Sequence, residues 1–136
     1  MCRFLALVVQ SGAWFTIENP HASYLWHLPA VRRLVDQVGA FPVVMDQCMF
    51  GLGSPPRVLP KEIWRKRTLF LASDPAFKRL ARACCKNHSH TPIVGSLKVL
   101  GRSQLRSSVA AAYPAKLCAE YAQAALLAKG DWAASA

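Results

Sequence analysis

Apolar positions recur along this chain in two rhythms. Leu25, Leu28, Val31, Leu34, Val35 and Val38 fall at helical spacing with Arg32, Arg33, Asp36 and Gln37 mostly opposite, which predicts an amphipathic helix. Pro29 sits in its first turn or two, where the missing N–H matters least, and Gly39 stops it. Ahead of it, Trp14–Ile17 reads as a short buried strand that brings Glu18 and Asn19 to its C-terminal end, where Pro20 closes it. Phe41–Met45 is a second β-rich run, with Asp46-Gln47-Cys48 at or past its end. Thr68–Ala72 is a third, entered directly from Arg65-Lys66-Arg67. This strand–helix–strand alternation predicts an α/β fold with a parallel sheet.

The remaining segments are read from their punctuation. Residues 2–10 form an apolar run too short to decide between helix and strand, and Gly12 suits a helix C-terminal cap. Gly51–Pro60 is glycine- and proline-rich and predicts a loop. Ser73 or Asp74 can cap a further helix with Pro75 at its first position and Phe77, Leu80, Ala81 and Cys84 on its inner face. Residues 86–109 read as irregular, or as a short hairpin around Gly95 and Gly101. Pro114 begins a helix with Leu117, Cys118, Tyr121 and Ala125 along one face, and Lys129-Gly130 ends it. Residues 1–130 are expected to form one domain and 131–136 a frayed tail.

Composition narrows the class. With 53% apolar residues and a mean hydropathy of +0.18, the chain can bury a core and is unlike a disordered one. Its apolar runs, such as Phe4–Val9 and Leu69–Ala72, are far too short to span a membrane. The first of them is also short for a signal peptide and follows one positive charge, so an intracellular chain is expected. Five cysteines without framework spacing agree with a reducing compartment. The net charge of +10 is concentrated: Arg57 to Arg106 holds twelve Lys/Arg against Glu62 and Asp74, and the rest of the chain holds five of each sign. A solvated face would look the same, but one contiguous basic segment is what a polyanion-binding surface requires.

Few residue clusters offer chemistry. Glu18 and Asn19 at a strand end could read a base or a sugar, because ligands collect beyond the carboxyl ends of strands in open α/β sheets. Arg65, Lys66 and Arg67 at a strand entry can reach phosphates. Trp64 beside them could stack on a base, although packing is the commoner fate of a lone tryptophan. Cys84-Cys85-Lys86-Asn87-His88-Ser89-His90 holds four ligand-type side chains in seven residues. The cysteines are adjacent, however, Cys84 belongs to an apolar helix face, and zinc sites usually use two spaced pairs. No metal centre is therefore expected, the nearest candidates being Cys85, His88 and His90. There is no Gly-x-Ser-x-Gly elbow, which leaves little support for a hydrolase.

Taken in order, these pieces resemble the later part of a DNA cytosine-5 methyltransferase catalytic domain, closest to divergent forms in phages and in eukaryotic retroelement-like genes. Glu18-Asn19-Pro20 resembles the family's Glu-Asn-Val/Pro motif. The resemblance implies that Glu18 bonds the Watson–Crick edge of a flipped cytosine and helps protonate its ring nitrogen, with Asn19 and Pro20 shaping the turn. Cys48-Met49-Phe50-Gly51 followed by Trp64-Arg65-Lys66-Arg67-Thr68 and Leu69–Ser73 is similar to a later motif whose basic residues support the flipped base and the DNA backbone. Ala112-Tyr113-Pro114 with Leu117 and Cys118 resembles the C-terminal helix of these relatives, and His88-Ser89-His90 a His-x-His between the two motifs. The likeness spans roughly residues 14–127. It implies a partial Rossmann-like, doubly wound sheet of about three strands and three to four helices.

Three family features are missing: the glycine-rich cofactor loop, the Pro-Cys nucleophile and the glutamine ahead of the paired arginines. The expectation is therefore a fragment or degenerate copy of the base-recognition half, without autonomous methyl transfer. The alternative is a non-catalytic basic nucleic-acid-binding module. No cofactor is expected for this chain alone, and S-adenosylmethionine would belong to a complete enzyme. DNA is the expected partner and RNA the alternative. A partner chain, or self-association along an open sheet edge, would complete the sheet. No membrane is involved, and the location is nuclear if the host is eukaryotic.

Overall fold

The computed structural model describes residues 1–128. The run at 2–10 is a helix, α1 (Cys2–Gln10), closed by Gly12 N–H bonding Val9 O at 2.9 Å. The first strand, β1, spans Thr16–Pro20, later than expected, because Phe15 leaves the ladder to bond Ser73 through its N–H and its carbonyl. A 3-10 turn (Tyr24–His27) leads into α2 (Pro29–Val38), with Pro29 in its first turn. Gly39 follows at φ +68, a left-handed conformation that side chains disfavour. Then come β2 (Phe41–Asp46), a 3-10 turn (Gln47–Phe50) and β3 (Arg67–Ala72).

The expected parallel sheet does not form. The order is β1-β3-β2, and β3 is antiparallel to both neighbours, from Thr16↔Ala72 to Pro20↔Thr68 and from Phe41↔Ala72 to Asp46↔Arg67. β1 and β2 do run in the same direction across α2, but β3 enters between them and takes the ladder hydrogen bonds of each. The resulting fold is mixed α/β with two small antiparallel sheets.

Period-two alternation gives the sheet two apolar faces. Val43, Met45, Phe70 and Ala72 pack with Phe77, Leu80 and helix-borne Leu117 and Ala124. Leu69 and Leu71 pack on the opposite side with Ala6 of α1 and with Val31 and Leu34 of α2. Asp74 and Pro75 start the next helical element as expected, Asp74 accepting the Ala76 N–H at 2.8 Å. It is a 3-10 turn that ends at Leu80, because the chain then extends so that Arg82 can bridge to Met45. Cys84 thus lies in a loop and not on a helix face.

A third cluster, Leu52, Trp64, Leu97 and Ala110, lies beneath the expected loop and hairpin. The hairpin is β4 (Ser96–Val99) and β5 (Arg102–Leu105), turned by Leu100 and Gly101, both at positive φ. α3 (Arg106–Val109) and α4 (Ala115–Leu127) complete the fold, while Lys129-Gly130 and the 131–136 tail lie outside the described residues. Gly53 is required here, since a Cβ would collide with the carbonyl oxygen of Glu62. Among the described residues no helix is long and apolar enough to cross a membrane.

Glu62 joins the hairpin to this cluster. Arg106 donates to both carboxylate oxygens, at 2.8 and 2.7 Å, and Trp64 Nε1–H donates at 2.8 Å. The hydrogen bonds from Arg106 hold the Glu62 carboxyl below its usual range, outweighing its partial burial. Because the folded value lies below the unfolded one, the stabilisation is complete above the ordinary carboxylate pKa of about 4.3 and is lost as pH falls through the folded value. Glu62→Gln should therefore be less stable than the parent at pH 7, with the gap closing in acid. Urea midpoints of both proteins across that range check this, and a gap independent of pH would refute it.

Candidate functional site

Alternation along β1 separates the two residues expected to act together. Glu18 lies opposite Phe70 and Asn19 opposite Leu69, so their side chains leave opposite faces of the sheet. Pro20 is the last residue of β1, and its carbonyl accepts from Trp26 Nε1–H at 2.9 Å and from Ser23 N–H at 3.0 Å, which fixes the turn.

Glu18 opens onto a cavity of about 400 Å³, lined also by Thr16, Phe70, Tyr113, Leu117, Cys118 and Tyr121. Thr16 and Tyr121 share a 2.6 Å hydroxyl hydrogen bond, and Tyr121 packs against Phe70 and Phe77 with ring centroids 5.6 and 5.2 Å apart. Burial pushes the Tyr113 phenol far above its ordinary pKa, and the Glu18 carboxylate beside it pushes the same way. Tyr113 and Glu18 thus line the same pocket side by side. Tyr113 and Cys118 were visible in the sequence as parts of a helix start, but only the packing of α4 on the sheet brings them to Glu18.

The basic triplet divides. Arg65 donates to both oxygens of Asp46, at 3.1 and 3.3 Å, and Arg67 lies 3.8 Å from the same carboxylate. Asp46 is 1% exposed and also accepts the Cys84 N–H at 2.8 Å. Burial alone would raise its pKa, but these hydrogen bonds and the two guanidinium charges bring it below the usual value. Lys66 takes another course, with its Nζ 5.6 Å from the centre of the Tyr113 ring at the pocket. Of the other basic residues in the segment, Arg82 pairs with Glu120 at 2.6 Å and Arg106 with Glu62. Arg57, Lys61, Lys78, Arg79, Lys86, Lys98 and Arg102 form no ion pair among the described residues. Trp64 is fully buried, so it packs and does not stack on a base from the surface.

Four side chains from two distant segments converge elsewhere. The ligand-type atoms of Cys48, Cys84, His88 and His90 all lie within 4.8 Å of one another. Of the three residues nearest to a ligand set in the sequence, His88 and His90 are in this group, whereas Cys85 is exposed and adjacent to it. Burial, with the neighbouring Cys84 thiol, pushes the Cys48 thiol up to about 11. Cys48, 36 positions before Cys84, was the member that spacing alone could not supply. No family model, no curated protein and no solved structure matches this chain.

Proposed function

We propose that this chain binds nucleic acid and receives an unpaired base, cytosine first among the candidates, in the Glu18 pocket. The observation that carries the reading is a carboxylate at the middle of β1, opening onto a cavity walled by Phe70, Tyr113 and Tyr121, with Lys66 against Tyr113. Its volume lies in the range of small-molecule sites, and aromatic walls with one placed carboxylate are what a base removed from its stack requires. Glu18 would accept from an exocyclic amino group or share a proton with the ring nitrogen beside it. The unpaired cations of the basic segment would supply sequence-independent phosphate contacts.

The sheet supports the finer reading that the chain is the base-recognition part of a doubly wound, methyltransferase-like fold. β1 and β2 are mutually parallel, α2 links them and helices cover both faces, with β3 lying antiparallel between the two strands. The edge of β1 away from β3 is then the seam where a further strand would pair, from another chain or from a second copy. With no Pro-Cys in these residues, methyl transfer and S-adenosylmethionine binding are assigned to whatever completes that sheet.

Fluorescence anisotropy on two duplexes tests this. One is fully paired, and the other carries a cytosine opposite an abasic site. The parent protein should prefer the second by about tenfold, the order expected for one well-made contact to a base edge. Glu18→Gln should lose that preference while keeping the steep dependence of affinity on salt. Salt-dependent binding without any preference would leave only the basic-module reading. Equal weakening of both duplexes by Glu18→Gln would remove Glu18 from base reading.

A further inference from the structure

The Cys/His cluster is not part of the Glu18 pocket, and its geometry is specific. Cys84 Sγ lies 3.5 Å from His88 Nε2 and 3.6 Å from His90 Nε2, and the two Nε2 atoms are 3.0 Å apart with their rings nearly perpendicular at 85°. A tetrahedral zinc ion holds sulfur at about 2.3 Å and imidazole nitrogen at about 2.0–2.1 Å. Simple geometry then sets S···N near about 3.5 Å and N···N near about 3.3 Å. Cys84, His88 and His90 thus stand close to three vertices of such a tetrahedron, and Cys48 Sγ lies within 4.8 Å of each of them.

The backbone is arranged for the same end. Cys48 lies in the 3-10 turn that follows β2, and Cys84 is brought beside it by the Met45–Arg82 bridge and by the Asp46 hydrogen bond to the Cys84 N–H. Lys86, at φ +61, turns the chain back so that its N–H donates to Cys84 Sγ at 3.3 Å. An amide directed at sulfur stabilises a thiolate more than a thiol. Cys85 Sγ lies 3.7 Å from His88 Nδ1, where it can accept the N–H of a ring bound through Nε2. Orienting partners of this kind accompany metal-bound histidines.

We propose that Cys48, Cys84, His88 and His90 bind one Zn²⁺ as a closed, structural centre. Two sulfurs and two imidazole nitrogens in a tetrahedron select zinc among the common divalent metals, and four protein ligands leave no position for substrate. On binding, each thiol releases one proton to solvent, the histidines bind neutral through Nε2, and the centre of two thiolates and Zn²⁺ carries no net charge. The ion fastens the end of β2 to residues 84–90, inside the basic segment and apart from the Glu18 cavity.

Elemental analysis of the full chain, purified under reducing conditions from zinc-supplemented cells, should find about one zinc per chain. Cys48→Ser and Cys84→Ser should each lose most of it, whereas Cys85→Ser should retain it. Where the serine variants fail to fold, Co²⁺ added to the metal-stripped parent keeps the question open to measurement. Intense tetrahedral ligand-field bands with a thiolate charge-transfer band are expected, and they should disappear as Zn²⁺ displaces Co²⁺. A parent chain that takes up no zinc, a weak octahedral Co²⁺ spectrum, or equal zinc loss from Cys85→Ser would each overturn the assignment.

Discussion

Replacing Trp64 by alanine is expected to destabilise the protein by about 3–5 kcal/mol, the cost of emptying a buried aromatic site. Trp64 is fully buried and lies in the third core cluster with Leu52, Leu97 and Ala110. Leu97 belongs to β4, and Ala110 directly follows α3, so the indole is the apolar contact on which the hairpin region rests. Its ring N–H bonds Glu62 at 2.8 Å and its backbone N–H bonds Leu52 O at 3.1 Å. Alanine removes the volume and one donor from a carboxylate that Arg106 also uses. Trp64→Phe should cost less, because most of the volume remains. Denaturant unfolding measures the total, and amide exchange should show the loss concentrated in residues 94–110. A Trp64→Ala change below about 1 kcal/mol would mean that the hairpin is held by other contacts.

Asp46→Ala is the second large effect, about 3 kcal/mol by the cost of losing charge-assisted hydrogen bonds to a buried carboxylate. The carboxylate accepts from Arg65 and from the Cys84 N–H and faces the Arg67 guanidinium at 3.8 Å, and the Asp46 backbone N–H bonds Arg82 O at 2.8 Å. Arg65 is half-exposed and can turn to water, whereas the Cys84 amide is part-buried and has Asp46 as its acceptor. Through that amide the substitution should also loosen the Cys48/Cys84/His88/His90 set, weakening zinc about 10- to 100-fold as outer partners of metal ligands do. Asp46→Asn keeps one acceptor and should fall between alanine and the parent on both measurements. Competition with a zinc-binding dye at neutral pH, beside urea unfolding, separates the two. A full stability loss with unchanged zinc affinity would confine Asp46 to the sheet.

What could be read from the sequence was local. Pro29 and Gly39 fix the ends of α2, Asp74 and Pro75 start the turn after β3, and Pro114 precedes α4, each through backbone chemistry that needs no distant partner. Strand direction was not local. Phe41–Asp46 and Arg67–Ala72 would show the same apolar pattern in parallel or antiparallel pairing, and the choice was made when β3 entered between β1 and β2. The helix expected to carry Cys84 failed for a related reason, since the Met45–Arg82 bridge outweighs helical propensity beyond Leu80. The same bridge explains the Cys/His cluster. His88 and His90 were visible as neighbours, but Cys48 joins them only through a contact between a strand end and a loop. Arg65 and Arg67 were legible as a basic pair, but the buried acid that holds them lies some twenty positions upstream and was not.

The order β1-β3-β2 also bears on how the chain is made. The central strand is the last of the three to be synthesised, and the Thr16↔Ala72 pairing joins positions 56 residues apart. At about 5–20 residues per second, β1 leaves the ribosome several seconds before β3, its partner among the described residues, exists. β2 is complete by Asp46 and waits as well, since it pairs with β3 and not with β1. During that interval β1 and the more apolar β2, flanked by already formable helices, have no ladder to join. The nascent chain is then most exposed to chaperone capture or to mispairing with a neighbouring polysome product, and release from that state depends on the six residues Arg67–Ala72.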